Sequence, residues 1–169
     1  MIPFPDKKYN IIYADPAWHY QTWSEGSKRN VTSKYKTMSM DEIWNLPIQD
    51  IADDDCILFL WVTFPKLLDC IKTIEKWGFT YKTCAFTWVK KNKKADSFFW
   101  GLGYWTRSNA ELCLLATKGT IKRQSVSQSR SAVSLAKSSI LGKSPTSSII
   151  LSLIISGFLE CLSIGVSII

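Results

Sequence analysis

The chain is short of histidine: His19 is the only one in 169 residues. That argues against a His-built metal centre, and Ser108 has no imidazole near it in sequence, so serine hydrolysis has little support either. No Cys-x-x-Cys pair is present. The five cysteines (Cys56, Cys70, Cys84, Cys113 and Cys161) lie mostly inside apolar runs. They read as reduced core thiols of a cytoplasmic protein, with no metal expected. The first ten residues, MIPFPDKKYN, hold no apolar signal-peptide core. Gly101 and Gly103 lack the rest of a phosphate-binding glycine fingerprint, and no helix plainly follows them. No internal repeat is visible. Acidic residues are in deficit, 14 against 21 basic ones, and the resulting net charge of +7 favours a polyanionic partner.

What is present suits one globular domain. Hydrophobic residues make up 46% and aromatics 13%, including eight Trp. Residues 10–14 form a short apolar run stopped by Asp15-Pro16, which reads as a buried strand. A polar, basic loop follows over 19–37. SMDEIWNLP reads as a short helix capped by Ser39, with Glu42 completing a capping box and Pro47 closing it. After an acidic turn, residues 56–62 read as a second strand. Pro65 and Gly78 bracket a helix whose apolar face would carry Leu67, Leu68, Ile71, Ile74 and Trp77. Residues 81–90 and 111–119 supply two more strands. The loop between them is dense in basic and aromatic residues. This order is that of an α/β layer fold.

The chemistry gathers at NIIYADPAWHY, because ligands bind at strand ends in α/β folds. An acid, a rigid turn and a large ring suit an exocyclic amine on a flat base. In adenine, the N6 lone pair is delocalised into the ring and is a poor nucleophile. A carboxylate (Asp15) and a backbone carbonyl (Pro16) can each accept one N6 hydrogen, drawing the nitrogen toward a tetrahedral shape and freeing its lone pair. Trp18 would stack on the base. On these residues alone the plain alternative stands beside it: Asp-Pro merely stops the strand, and Trp18 is core.

Read together, ADPAW, YKTMSMDEIWNLP, ILFLWVT, WGFTYKTCAFTWVK and GYWTRSNAELCLLATKG resemble the MT-A70 (DPPW-type) family of N6-adenine methyltransferases, in wording closest to its short phage and bacterial DNA members. The resemblance covers about residues 9–120. It implies S-adenosylmethionine as methyl donor and a Rossmann-like methyltransferase sheet in permuted order. It makes Asp15, Pro16 and Trp18 the catalytic turn, with Asp15 also touching the cofactor. Tyr35 would lie at the base pocket, and Lys90, Trp100, Trp105 and Asn109 would border the substrate face. Ala17 stands where the family has a second proline. That softens the turn but keeps the Pro16 carbonyl.

Other loop residues carry two readings each. Lys90, Lys91, Lys93 and Lys94 would contact phosphate or simply be solvated. Phe98, Phe99, Trp100, Tyr104 and Trp105 would stack bases or pack, and composition favours packing.

From about residue 121 the resemblance ends. The Ser/Ile/Leu-rich tail, 121–169, lacks the family's His-Ser-x-Lys-Pro-Asp-Glu-like and Glu-Leu-Phe-like segments, which would leave the C-terminal part of the fold incomplete and the sheet without its last strands. Residues 149–169 approach the ~20 residues that span a bilayer. Glu160 near the middle would cost about 2–3 kcal/mol there, so an anchor is disfavoured. An out-of-frame reading of the usual end is the preferred account. One codon choice for SSILGKSPTS, shifted by two bases, yields Gln-His-Ser-Arg-Lys-Lys-Pro-Asp-Glu. The expected activity is methyl transfer to adenine N6 in DNA. The alternatives are an RNA adenine methyltransferase and a catalytically silent nucleic-acid-binding relative.

Sequencing the coding DNA tests the tail directly. Read in the other two frames past codon 124, it is expected to yield a Lys-Pro-Asp or Glu-Leu-Phe-like stretch. If neither frame does, the frameshift account is wrong.

Overall fold

The computed structural model describes residues 6–20, 36–92, 94–101 and 103–121, and the backbone alone of 132–137 and 166–168. Strand β1 (Tyr9–Ala14) is followed by two short helices, α1 (Met40–Trp44) and α2 (Ile48–Ile51). Then come β2 (Ala52–Thr63), a 3-10 turn (Phe64–Lys66), α3 (Leu67–Lys76), β3 (Thr80–Lys91), β4 (Glu111–Lys118), β5 (Ala132–Lys137) and β6 (Val166–Ile168). The six strands form one sheet in the order β5-β3-β4-β2-β1-β6. Only β4 pairs antiparallel, against both β2 and β3; the pairs β1–β2, β1–β6 and β3–β5 are parallel.

The apolar runs of β1, β2 and β4 are continuous because these strands bury side chains on both faces. Successive side chains divide between two cores with period two. Ile12, Ala14, Leu58, Leu60, Val62, Leu114 and Ala116 face one side, with Ile43, Ile48, Ile51, Cys70, Ile74 and Trp77 of the helical layer. Ile11, Tyr13, Phe59, Trp61, Trp88 and Cys113 face the other. Slipping β1 by one residue would exchange its two sets, so the register is strongly fixed.

Local signals behave as their chemistry requires. Ser39 and Glu42 form the capping box: Glu42 N–H donates to Ser39 Oγ at 3.2 Å, and Ser39 N–H donates to Glu42 Oε2 at 2.7 Å. The helix ends at Trp44, and Pro47 instead introduces α2. Gly78, at φ +78°, ends α3 in the left-handed region that glycine reaches without strain. Two indoles lock α1 to α3. Trp77 Nε1 donates to the Ile43 carbonyl at 3.0 Å, and Trp44 Nε1 to Thr73 Oγ1 at 3.1 Å.

Three expectations need correction. Leu68 is 78% exposed, and the buried face of α3 carries Cys70, Thr73 and Ile74. Thr73 is tolerated there because its hydroxyl donates to the Asp69 carbonyl at 2.7 Å while accepting from Trp44. The acidic turn is the start of β2: Asn10 Nδ2 donates to Asp53 Oδ2 at 3.0 Å, and Thr120 N–H to Asp55 Oδ1 at 2.7 Å, so these acids bind neighbouring chain. The sheet does not stop at β4, because segments of the tail take both its edges. Edge pairing is a backbone matter and needs no family motif.

Among the described residues, no helix is long and apolar enough to cross a membrane, and no group of three or more His, Cys, Asp or Glu could hold a metal ion.

Burial pushes the thiol of Cys56 from 9.0 to about 11 and that of Cys70 to about 12. Burial also raises Cys113 and the Tyr13 phenol. These groups hold their protons longer when folded than when unfolded. Stability is therefore complete below the unfolded thiol value and falls as pH climbs from 9 toward 12. Denaturant titrations across that range should show a falling midpoint, and Cys70→Ala should make the fall shallower. A flat profile would contradict the assigned burial.

Candidate active site

The carboxyl ends of β1, β2 and β3 and the start of β4 share one edge of the sheet. The register places them there: Ala14 lies opposite Leu60, Thr63 opposite Glu111, and Glu111 opposite Trp88. Asp15 follows the fully buried run Ile11–Ala14 and is itself exposed, so the strand delivers a carboxylate to solvent at this edge. Its negative charge is felt below, as a minor contribution to the raised Tyr13 and Cys113.

The turn after Asp15 is tight. Trp18 N–H donates to the Pro16 carbonyl at 2.8 Å, closing a three-residue turn around Ala17. A carbonyl oxygen has two lone pairs, so Pro16 keeps acceptor capacity. Met38 N–H donates to the Ala17 carbonyl at 2.8 Å, holding the far end of the first loop against the turn. Two side-chain pairs add to this closure: His19 Nδ1 with Thr37 Oγ1 at 3.1 Å, and Tyr20 Oη with Thr63 Oγ1 at 2.7 Å. Preorganisation lost with the second proline is thus restored by backbone and side-chain hydrogen bonds.

Trp18 does not have the place expected of it. It is 4% exposed and packed in the core under the helical layer, with Nε1 donating to the Trp61 carbonyl at 2.9 Å. No ring face is open for a base to stack on, so its role is to anchor the turn. The physical reason is simple: the indole buries a large apolar surface and finds a buried acceptor for its N–H.

Lys90 is likewise engaged. Its ammonium pairs with Glu111 and sits 4.7 Å from the centroid of the Trp88 ring. Lys91 pairs with Asp96 at 2.8 Å, and this bond holds the Asp96 carboxyl below its ordinary value. These two lysines are spent within the fold, whereas Lys94 is exposed.

Asn109 is the stitch between β3 and the basic–aromatic loop. Its Oδ1 accepts from Lys90 N–H at 2.7 Å, and its Nδ2 donates to the carbonyls of Lys90 at 2.9 Å and Phe99 at 2.6 Å. Trp100 and Trp105 are 75% and 92% exposed, so here the loop aromatics present their rings and do not pack. Tyr35 and Lys93 lie outside the described residues.

Beside this edge an open cleft of ≈ 680 Å³ lies between Phe64-Pro65 and the loop segment 103–110. Sequence reasoning missed Thr63, Phe64 and Arg107 here. The rule that placed chemistry at the end of β1 could have found the first two, since Thr63 ends the neighbouring parallel strand and Phe64 follows it.

The fold is a mixed α/β sheet of the Rossmann-like kind. The MT-A70 family pattern matches residues 9–150, and the chain belongs to that family. The match runs beyond residue 120, where the resemblance in wording stops. The chain is 38% identical over 133 residues to the type II methyltransferase M.MunI of Mycoplasma sp, covering 69% of this chain and 54% of that protein. It is 33% identical over 124 residues to the N6-adenosine-methyltransferase non-catalytic subunit MTB of Arabidopsis thaliana, covering 69% of this chain and 15% of that protein. It is 29% identical over 113 residues to the N(6)-adenosine-methyltransferase catalytic subunit of Homo sapiens, covering 66% of this chain and 18% of that protein. The chain therefore spans about half the length of the first relative and under a fifth of the other two.

The anchoring role of Trp18 predicts its mutational signature. Trp18→Ala should destabilise the fold by about 3–5 kcal/mol, as for other buried tryptophans. Trp18→Phe should cost less, forfeiting mainly the bond to Trp61. Thermal unfolding checks this, and a Trp18→Ala variant as stable as the parent would return the ring to a base-stacking role.

Proposed function

We propose that this chain transfers a methyl group from S-adenosylmethionine to N6 of adenine in DNA. The observation that carries the reading is Asp15: a carboxylate exposed at the end of an otherwise buried parallel strand, next to a carbonyl fixed in a tight turn. Asp15 and the Pro16 carbonyl accept the two N6 hydrogens, and the acid stabilises the positive charge that develops on nitrogen as it attacks. The bonds from Trp18 to the Pro16 carbonyl and from Met38 to the Ala17 carbonyl hold the turn in place beforehand. Membership of MT-A70 and the names of its relatives support the reaction class.

The donor set suits the proposed cofactor. S-adenosylmethionine supplies, when bound, an electrophilic methyl on a cationic sulfonium, and Asp15 is an exposed anion at the edge where such a cation would be held. In a duplex the target base would have to leave the stack to reach Asp15. DNA is favoured over RNA by the higher identity to the bacterial type II enzyme than to the adenosine methyltransferases. The same reading places the chain in the cytoplasm, where its thiols stay reduced.

A second reading has its own support. One relative is by name a non-catalytic subunit, and the tail carries none of the expected Lys-Pro-Asp or Glu-Leu-Phe segments. A silent relative would bind nucleic acid without methyl transfer.

Asp15→Asn separates them. It keeps the size of the side chain and one acceptor oxygen while removing the charge. Methyl transfer to adenine-containing DNA should fall about 10²–10³-fold, and S-adenosylmethionine binding measured by calorimetry should weaken. Parent protein that binds DNA but methylates neither DNA nor RNA would support the silent reading instead.

A further inference from the structure

The loop that follows β3 is built to present aromatic rings. A side chain at Gly101 would overlap the Ser108 carbonyl, and one at Gly103 would overlap the Thr106 carbonyl. Residues 101 and 108, then 103 and 106, therefore face one another across a narrow hairpin. Its apex is Tyr104-Trp105. These rings meet edge to face, with centroids 5.5 Å apart, and are 83% and 92% exposed. Asn109 fixes the base of the hairpin to Lys90 and Phe99. Only glycine permits the approach of the two arms, and the approach is what pushes the aromatic tip outward.

Across the open cleft from this tip stands Phe64, 48% exposed. Arg107 lines the same cleft and is exposed. Asp15 and Pro16 do not line it. A flat group held between Phe64 and the tip is therefore not the group that meets the catalytic turn, although both belong to the same edge of the sheet.

We infer that this cleft is a second base subsite, which stacks an unpaired DNA base flanking the target adenine between Phe64 and the Tyr104-Trp105 tip, with Arg107 placed for the adjoining phosphate. The inference rests on the methyltransferase reading and extends it to a neighbouring nucleotide. Charge selects nucleic acid over an apolar protein surface. Lys90 and Lys91 are paired with Glu111 and Asp96, and the exposed Lys94 and Arg107 of the same loop remain as its cations among the described residues. Every base offers a π face, so stacking needs no hydrogen-bond code and tolerates any flanking sequence. The phosphate contact adds salt-dependent affinity.

The test uses the full chain and a short single-stranded DNA bearing 2-aminopurine next to one adenine. Stacking on the tip should quench its fluorescence. Trp105→Ala and Phe64→Ala should each abolish most of the quenching and raise Kd about tenfold, while Trp105→Phe restores both. Both positions are exposed, so thermal midpoints should not move. In methyl transfer the alanine variants should raise KM for DNA and leave kcat close to the parent value. Quenching and affinity unchanged in both alanine variants would overturn the subsite, as would equal quenching when the probe base lies many nucleotides from the adenine. The binding readouts need no catalysis. A parent chain that shows tip-dependent quenching but transfers no methyl therefore supports the subsite and sinks the proposed activity alone.

Discussion

The arrangement of the edge that carries Asp15 hangs on one buried hydrogen bond, from Trp18 Nε1 to the Trp61 carbonyl. Strand β1 pairs with β2 only as far as Ala14, opposite Leu60. Past that point no ladder bond holds the chain, and the direction of Asp15 would be set by a free turn. The indole takes over where the ladder stops, binding the next residue along β2. A buried N–H left without an acceptor costs about 1–3 kcal/mol, so the chain beyond Pro16 has little freedom to rotate away. The short Trp18-to-Pro16 turn and the Met38 bond then follow from the fixed position of Trp18. An anchoring tryptophan and an exposed aspartate three residues apart are two consequences of one geometry.

The edge divides its work between rigid and presented parts. Asp15 stands at the end of a strand buried on both faces, which gives its carboxylate a rigid support. The aromatic rings of the following loop stand on a hairpin held by glycine contacts and the three bonds of Asn109. The lysines that a charge count would assign to the ligand are largely committed to carboxylates: Lys90 to Glu111 and Lys91 to Asp96. What faces solvent from this loop is thus more aromatic, and less cationic, than its composition suggests.

The order of the first four strands along the chain could be read from the sequence because each apolar run is bounded by turn residues. The capping box at Ser39 was legible for a related reason: its bonds are local, spanning three residues. Long-range geometry was not legible. Whether Trp18 stacked on a ligand or filled the core depended on Trp61, forty-three residues away, which offers the acceptor that makes burial favourable. Leu68 and Cys70 exchanged places because a helix face is chosen by the sheet it meets, and apolarity alone does not rank a leucine above a cysteine for that position. The aromatic loop misled in the opposite direction. Composition favoured packing, and only the overlap at Gly101 and Gly103 shows that the hairpin is too narrow to fold its rings inward.

The tail teaches the same lesson about what motifs measure. Its side chains match none of the family's C-terminal wording, yet its backbone occupies both edges of the sheet, and the family pattern continues through residue 150. Edge strands are held by main-chain hydrogen bonds on one side only, the least sequence-dependent part of a sheet. A segment can therefore take the edges of the sheet without carrying the C-terminal wording that the resemblance leads one to expect. Strands β1 and β2 position Asp15 through their own pairing, whichever segments lie at the edges.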